Sequence, residues 1–382
     1  MNRPPSNEHI PADVKFRVLS VDGGGIRGLI PALFLEGLEA ALGEALGETG
    51  EAAGLWRDRG IDVPRIADCF HLIAGTSTGG LLAAALTIPD GKGRPKLSAA
   101  EAASMYESDG RTIFRRPLLR RLLDPWGLVW PKYPLAQLAA VLKRPTLIGE
   151  AKLKDACTDV LITTYDAAHS GPRLFTNWGA PGAGETDAKP EEKMVDVALG
   201  TAAAPTYFDP ERVGSARLID GGVFAANPTL AGVSMALRRT EAPGPLEDPD
   251  ELLVISVGTG FWEEPLDYGW GGIIGWLRPR KGGEALLEAI LDGQADHATE
   301  AAHMLLNRWP KDKAWGDPTI PAEMLGGGPR FWRYQTRLPE PFAMDDVGRL
   351  PELRELGIGM ADQYEEELRR LARFLIAQGP VT

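Results

Sequence analysis

The stretch FHLIAGTSTGGLLAAAL, residues 70–86, constrains the fold of this chain more than any other. An apolar run is followed at once by the five residues GTSTG and then by small residues with a helical pattern. This order predicts a strand, a tight turn and a helix, with Ser77 at the turn, an arrangement known as a nucleophile elbow. Gly75 and Gly79 flank the serine because only small neighbours fit so sharp a turn. Ser77 is therefore a candidate nucleophile, although a serine here can also simply cap the helix that follows.

Strand-like and helix-like segments alternate along the rest of the chain. Short apolar or β-branched runs predict strands at 16–21, 70–74, 159–164, 173–176, 252–257 and 331–337. Helical periodicity predicts helices at 29–45, 79–87, 99–106, 228–239, 284–306 and 351–376. This alternation predicts a three-layer α/β/α sandwich with a central, mainly parallel sheet. We expect one domain over 14–380, a flexible tail over 1–13, and surface loops at 179–193 and 240–250.

Charge and cysteine content narrow the classes of function. The 41 Lys and Arg residues against 53 Asp and Glu residues give a net charge of −12, which disfavours a nucleic-acid surface. Cys69 and Cys157 stand in apolar contexts, so we expect free thiols and a reducing compartment. The start lacks a signal-peptide pattern and no long apolar run is present, so we expect a cytoplasmic protein. No His, Cys or Asp cluster has metal-ligand spacing, so neither a metal nor a cofactor is expected.

The glycines of VLSVDGGGIRG, residues 18–28, allow two interpretations. Gly23, Gly25 and Gly28 match the G-x-G-x-x-G pattern of dinucleotide-binding folds. Such a fold needs a second strand that ends in an acidic residue about 20 residues further on. The sequence there, LGETGEAAGLWRDRG, contains no such strand. The glycines can instead present backbone N–H groups to a developing negative charge.

The group that would activate Ser77 is the next question. The five histidines are His9, His71, His169, His297 and His303. An α/β-hydrolase carries its nucleophile, acid and histidine in that order, which His297 or His303 would satisfy, but only two predicted strands precede Ser77. The other candidate is Asp220 in ARLIDGGVFAANP, where burial would raise the pKa of the carboxyl group and make it a useful base. Taken alone, Asp220 could also be an ordinary turn residue.

Three segments, DGGGIRG, GTSTG and DGG, occur in an order that resembles the patatin-like phospholipases. The stretches GTAAAPTYFDP before Asp220 and AANPT after it are similar as well, so the resemblance runs from Phe16 to Thr229. It implies an α/β sandwich and a Ser-Asp dyad that works without histidine. Carried onto this chain, Ser77 would be the nucleophile and Asp220 the general base.

The resemblance also implies a role for the glycine loop. Gly23, Gly24 and Gly25 would supply the oxyanion hole, and Arg27 would help to hold the loop. The expected activity is hydrolysis of lipid esters, with a phospholipid or lysophospholipid as substrate. Two alternatives stay open: a carboxylesterase assisted by histidine, and a binding protein on the same fold that is regulated by a nucleotide.

A basic and aromatic segment, residues 111–134, indicates contact with lipid. Its arginines are Arg111, Arg115, Arg116, Arg120 and Arg121. They alternate with apolar residues and precede Trp126 and Trp130, a mixture typical of peripheral membrane contact. The segment YGWGGIIGWLRPRK repeats this mixture with Trp270 and Trp276. Both segments could instead be loops that pack on the core while their arginines stay in water.

Overall fold

The computed structural model describes residues 10–11, 13–48, 50–124, 130–178, 190–239, 246, 248–262, 279–280, 283–307 and 329–381. Its strands are β1 Phe16–Val21, β2 Leu72–Thr76, β3 Asp159–Asp166, β4 Gly171–Thr176, β5 Glu211–Val213, β6 Ala216–Asp220, β7 Leu252–Val257, β8 Pro279–Arg280, β9 Gly283–Glu284 and β10 Phe331–Tyr334. Within these residues, one eight-stranded sheet has the order β10-β7-β1-β2-β3-β6-β5, with β4 paired to β3. The pairs from β10 to β3 are parallel, and those of β4, β5 and β6 are antiparallel.

The sheet is buried on both faces. Every residue of β1 and β7 is buried, which explains why these strands are almost continuously apolar. Side chains alternate along a strand, so Leu19 and Val21 join one hydrophobic core while Phe16 and Val18 join another. The predicted three-layer α/β/α sandwich with a mainly parallel central sheet is therefore confirmed.

The helices form the two outer layers. They are α1 Leu29–Glu48, α2 Gly50–Arg57, α3 Ile66–Cys69, α4 Thr78–Thr87, α5 Ala99–Ile113, α6 Leu118–Leu123, α7 Leu135–Leu142, α8 Met194–Ala202, α9 Gly222–Ala225, α10 Thr229–Leu237, α11 Ala285–Leu306, α12 Leu350–Gln363 and α13 Glu365–Gln378. Short 3₁₀ turns occur at Gly25–Gly28, Leu153–Asp155, Pro249–Glu251 and Val347–Arg349. Helices α1, α4, α5, α12 and α13 cover the larger core, and α10 and α11 cover the smaller one. Among the described helices, none has the length and apolarity to cross a bilayer.

Several predicted boundaries were wrong for identifiable reasons. The strand predicted at 70–74 begins only at Leu72, because α3 occupies Ile66–Cys69 and parallel pairing with β1 starts at Leu72. The single helix predicted at 351–376 is two helices. They break at Tyr364, whose ring packs edge-on against Phe34 and Tyr334. The strand predicted at 331–337 ends at Tyr334.

Other elements were missed or lie where the structure gives no description. Strands β5 and β6 and helix α8 were not predicted, although the segment that ends at Asp220 was recognised as apolar. Residues 1–9 and 12 of the predicted tail lie outside the described residues. So do 179–189, 240–245 and 247 of the two predicted loops. The single domain over 14–380 stays a prediction.

Candidate active site

Ser77 occupies the sharp turn between β2 and α4. Its backbone has φ 53° and ψ −123°, a left-handed conformation that is strained for a residue with a side chain. Its N–H donates a hydrogen bond to Thr201 Oγ1 at 2.8 Å, and its side chain makes no capping bond to α4. The hydroxyl is therefore held at the C-terminal edge of the sheet for some purpose other than capping.

Close packing explains the glycines around this turn. A Cβ on Gly75 would overlap the backbone of Gly79, and a Cβ on Gly79 would overlap the carbonyl of Val21 in β1. Gly80 packs equally tightly, since its Cβ would lie 2.7 Å from Thr201 Cγ2. Glycine is thus required here by the approach of β1, β2 and α4 to one another.

Asp220 is the last residue of β6, which runs antiparallel to β3 and places Asp220 opposite Thr164. Its carboxylate accepts a hydrogen bond from the Gly222 N–H at 2.7 Å, and it borders the same cavity as Ser77. Only 8% of Ser77 and 6% of Asp220 are exposed. Burial raises the pKa of Asp220 to about 6, against the opposing effect of the nearby Ser77 hydroxyl and the Gly222 N–H. Two residues far apart in sequence thus form a buried hydroxyl–carboxylate pair.

A glycine follows Asp220 because a neighbouring strand lies very close. A Cβ on Gly221 would lie 2.5 Å from the carbonyl oxygen of Thr163 in β3. The Asp220 N–H donates to Ala203 O at 3.0 Å, which ties the end of β6 to the segment after α8. The position of the carboxylate is therefore fixed by backbone contacts on both sides.

The glycine loop, residues 22–28, connects β1 to α1 and lies against Ser77. A Cβ on Gly23 would lie 3.1 Å from Ser77 Cβ, so this loop touches the elbow directly. The Gly23 N–H donates to Ala226 O at 2.9 Å, and the Gly23 carbonyl accepts a hydrogen bond from Thr259 Oγ1 at 2.9 Å. Arg27 Nε donates to the Gly24 carbonyl at 3.4 Å, consistent with its expected part in holding the loop.

Two N–H groups of this loop are left to act as donors. Among the described residues, none accepts a hydrogen bond from the N–H of Gly24 or Gly25. Gly25 has φ 59°, and the next N–H, that of Ile26, donates to Met344 O at 2.8 Å. Of the three glycines predicted to form the oxyanion hole, Gly23 has its N–H engaged within the protein, which leaves Gly24 and Gly25.

Two mainly apolar cavities meet at Ser77. One, of about 310 Å³ counted to its open mouth, is bordered by the glycine loop, Ser77 and Asp220. It adjoins an apolar cavity of about 570 Å³, counted to its open mouth, which also reaches Ser77. The apolar lining includes Leu81, Met105, Ile113, Phe114, Leu138 and Phe208. The hydroxyl–carboxylate pair therefore stands at the end of a space suited to a hydrocarbon chain.

The described histidines lie apart from the pair formed by Ser77 and Asp220. His71 accepts the N–H of Arg17 at Nδ1, 3.0 Å away, and His169 pairs with Asp166. His303 is buried against Phe331 and contacts Asn307, while His297 is exposed on α11. Within the part of the chain that the structure describes, no hydrogen bond links a histidine to Ser77 or Asp220.

Thr201 is a site residue that the sequence reasoning did not single out. It lies in GTAAAPTYFDP, a stretch already recognised as similar to a known family, but its contact with the Ser77 N–H depends on the packing of α8 against α4. A threonine in a stretch of small residues gives no sign of that contact.

The basic segment is only partly described. Helix α6 exposes 70% of Leu118, 69% of Leu122 and 64% of Leu123, and Trp130 is 43% exposed. Trp126, Trp270 and Trp276 lie outside the described residues, and of the second aromatic segment only Pro279–Arg280 is described. No group of three or more metal-ligating side chains occurs in the described ranges.

Comparison with known proteins agrees with the segments that form this site. A family model described as "Patatin-like phospholipase" matches residues 19–233. "Patatin-like protein 1" of Arabidopsis thaliana is 33% identical over 321 residues, which cover 77% of this chain and 70% of that protein. "Patatin-like protein 4" of the same plant is 34% identical, with 68% and 62% covered. "Probable inactive patatin-3-Kuras 1" of Solanum tuberosum is 35% identical, with 69% and 68% covered.

Proposed function

The chain belongs to the patatin-like phospholipase family, and from that premise we propose that it is a serine lipid acyl hydrolase. One relative carries the word inactive in its name, so family membership alone does not decide the activity of this chain. The observation that carries the proposal is the placement of the buried Asp220 carboxylate beside the Ser77 side chain, at a cavity that both residues border. A carboxylate with a pKa of about 6 is ionised at neutral pH and still basic enough to accept the proton of an attacking hydroxyl.

The first half of the reaction forms an acyl-enzyme. Ser77 Oγ attacks the ester carbonyl while its proton passes to Asp220. The negative charge that develops on the carbonyl oxygen is stabilised by the N–H groups of Gly24 and Gly25, which have no acceptor among the described residues. When the tetrahedral intermediate collapses, the C–O bond to the alcohol breaks and the alcohol oxygen takes the proton from Asp220.

Water completes the reaction. A water molecule transfers a proton to Asp220 as its oxygen attacks the acyl carbon of the Ser77 ester. Collapse of the second intermediate breaks the bond to Ser77 Oγ, which regains the proton from Asp220 and releases the fatty acid. The same two backbone donors stabilise both intermediates, so no cofactor is needed.

The apolar cavity supports a lipid as the acyl donor. Its lining would bury the hydrocarbon of an acyl chain, and each buried methylene contributes about 0.8 kcal/mol. We therefore propose a phospholipid or lysophospholipid substrate, with the acyl chain beside Ile113, Phe114 and Leu138.

Hydrolysis of a p-nitrophenyl acyl ester and of phosphatidylcholine tests this function. Ser77→Ala and Asp220→Ala should each lose activity by about 10⁴-fold or more, as the loss of a nucleophile or its base does elsewhere. Ser104→Ala, which alters an exposed serine on α5, is the matched control and should keep full activity. Mass spectrometry after treatment with a fluorophosphonate should locate the adduct on Ser77. Activity that survives Ser77→Ala, or that disappears in His297→Ala, would contradict the dyad.

Helix α6 supports peripheral contact with an anionic membrane. Its three exposed leucines follow closely in sequence on Ile113 and Phe114, which line the apolar cavity. Arg111 and Arg115 are exposed nearby, and no ion pair involves either of them within the described residues. Apolar side chains flanked by unneutralised arginines fit a bilayer surface with negative head groups.

Co-sedimentation with vesicles that contain phosphatidylglycerol tests the membrane contact. Leu118→Asp/Leu122→Asp should reduce binding strongly while hydrolysis of a water-soluble ester stays unchanged. Leu55→Asp, which places one such charge on an exposed leucine of α2, is the control beside the single variants Leu118→Asp and Leu122→Asp and should bind like wild type. Equal binding by the α6 variant and wild type would remove the proposed contact.

We also propose a cytoplasmic location for the protein. Its two cysteines, Cys69 and Cys157, are free thiols, and burial raises the pKa of both, which keeps them protonated and unreactive. Fractionation of cells should recover the protein from the cytoplasm and from its membrane surface.

A further inference from the structure

Asp22, the first residue of the glycine loop, has a buried carboxylate whose ion-pair partner lies far away in the sequence. Its side chain is almost fully buried, and its N–H donates to Val257 O at the end of β7, 3.1 Å away. Arg333 on β10 binds its carboxylate with both terminal nitrogens, with Nη1 at 2.9 Å from Oδ1. Such paired contacts fix the orientation of a carboxylate as well as its charge.

Arg333 is itself held in place by the sheet. It reaches Asp22 across β7, and its Nη1 also donates to Ser256 Oγ at 2.8 Å. Strand pairing places Arg333 beside Ser256, and Ser256 beside Ser20 of β1. The Arg333 side chain is only 8% exposed, so most of it is shielded from solvent.

Further hydrogen bonds extend this network of polar side chains to the segment that follows Asp220. Thr229 Oγ1 lies 2.9 Å from Ser20 Oγ and 3.0 Å from Ser256 Oγ, and the Thr229 N–H donates to Asn227 Oδ1. Asn227 follows Ala226, whose carbonyl accepts the N–H of Gly23. One buried network therefore joins Arg333, the start of the glycine loop and the segment after Asp220.

We propose that Arg333 is a positioning residue for the oxyanion hole, because its bonds to Asp22 fix the loop that presents the Gly24 and Gly25 N–H groups. This inference rests on the proposed function and adds to it a residue outside the matched range 19–233. Donors in an oxyanion hole act through their exact placement, so a small shift of the loop lowers the rate of reaction while substrate binding changes little.

Arg333→Met tests this role, and the residue directly before β10 offers a control. Arg330 is as deeply buried and binds Asp13 with one terminal nitrogen at 2.8 and 3.0 Å from its two carboxylate oxygens, away from the glycine loop. Arg333→Met leaves the buried Asp22 carboxylate without its partner and should lower the melting temperature, whereas the Asp13 side chain is 71% exposed, so Arg330→Met should lower it less. Only Arg333→Met should lower kcat, by about 10²-fold, with KM changed less than about threefold. Arg333→Lys keeps the positive charge but cannot make the paired contact, so its kcat should lie between those of wild type and Arg333→Met.

Two further measurements separate positioning from general stability. Asp22→Asn should lower kcat like Arg333→Met, and the double variant should be no worse than either single one, because the two residues act as a pair. Hydrogen exchange should become faster over residues 22–28 in Arg333→Met and stay unchanged there in Arg330→Met. This measurement uses the free protein, so it does not depend on the identity of the substrate. Wild-type kcat in Arg333→Met, or unchanged exchange over 22–28, would overturn the positioning role. A wild-type protein that hydrolyses no ester would count against the proposed function. The exchange result would still decide whether Arg333 fixes the glycine loop.

Discussion

Replacing Asp220 by Asn should abolish hydrolysis and yet stabilise the folded chain. The Asp220 carboxylate is 6% exposed, and desolvation is the main cause of its raised pKa. The nearby Ser77 hydroxyl and the hydrogen bond from the Gly222 N–H only partly offset that desolvation. An asparagine has nearly the same shape and carries no charge, so it removes the penalty without opening a cavity.

The size of the effect follows from the pKa. A pKa raised from 3.8 to about 6 corresponds to about 3 kcal/mol, since one pH unit is worth about 1.4 kcal/mol. A group whose pKa is higher in the folded state contributes stability at low pH, and that stability is lost as pH rises through the folded pKa. For Asp220 the loss occurs between about pH 4 and pH 6. The gain in Asp220→Asn should therefore reach about 3 kcal/mol above pH 7 and vanish near pH 4.

Urea denaturation of both proteins at pH 8 and at pH 4 measures this difference. At pH 8 the midpoint for Asp220→Asn should be higher by on the order of 1 M urea, and at pH 4 the two midpoints should coincide. All other titrating groups are common to both proteins, so they cancel in the comparison. An Asp220→Asn variant that is less stable than wild type at pH 8, or equally stabilised at both pH values, would refute the reasoning.

Three other outcomes follow from the site. The value of kcat/KM should fall as pH drops through about 6, because Asp220 must be ionised to accept a proton, and a flat profile between about pH 5 and 8 would contradict this role. Gly25→Ala should lower kcat for a p-nitrophenyl ester by about 10²–10³-fold, since its backbone has φ 59° and a Cβ would overlap Met344. Gly43→Ala, on α1 with no atom near its Cβ, should be without effect. Leu138→Phe should narrow the apolar cavity and shift the substrate preference towards shorter acyl chains. An unchanged chain-length preference would mean that the acyl chain binds outside this cavity.

Local patterns made one part of the site predictable from the sequence. The elbow needs only a strand, a turn and a helix in succession, so Ser77, Gly75 and Gly79 could be identified from neighbouring residues. The strands β1 and β7 were predicted to the residue because central parallel strands are apolar on both faces. The antiparallel strand β5 was missed because three residues are too few to show an alternating pattern.

Tertiary contacts determine what the sequence could not indicate. The break between α12 and α13 occurs where Tyr364 turns its ring into an aromatic cluster with Phe34 and Tyr334, and no glycine or proline marks it. The engagement of the Gly23 N–H by Ala226 depends on how the segment after β6 packs against the loop. A pattern of three glycines identifies the loop but not which of its donors are available.

The site combines several groups that destabilise the fold, and this explains where its supporting residues come from. Ser77 holds a strained backbone, Asp220 is desolvated, and the Gly24 and Gly25 N–H groups have no acceptor among the described residues. Strained and desolvated groups persist only where the surrounding structure fixes them firmly. The bonds that do so come from the end of α8 and from β10: Thr201 holds the elbow, Ala203 the end of β6, and Arg333 the glycine loop. A sheet whose strand β1 is paired on both sides can supply such bonds from elements far apart in sequence, so the proposed catalytic geometry depends on the sheet as well as on the three motifs.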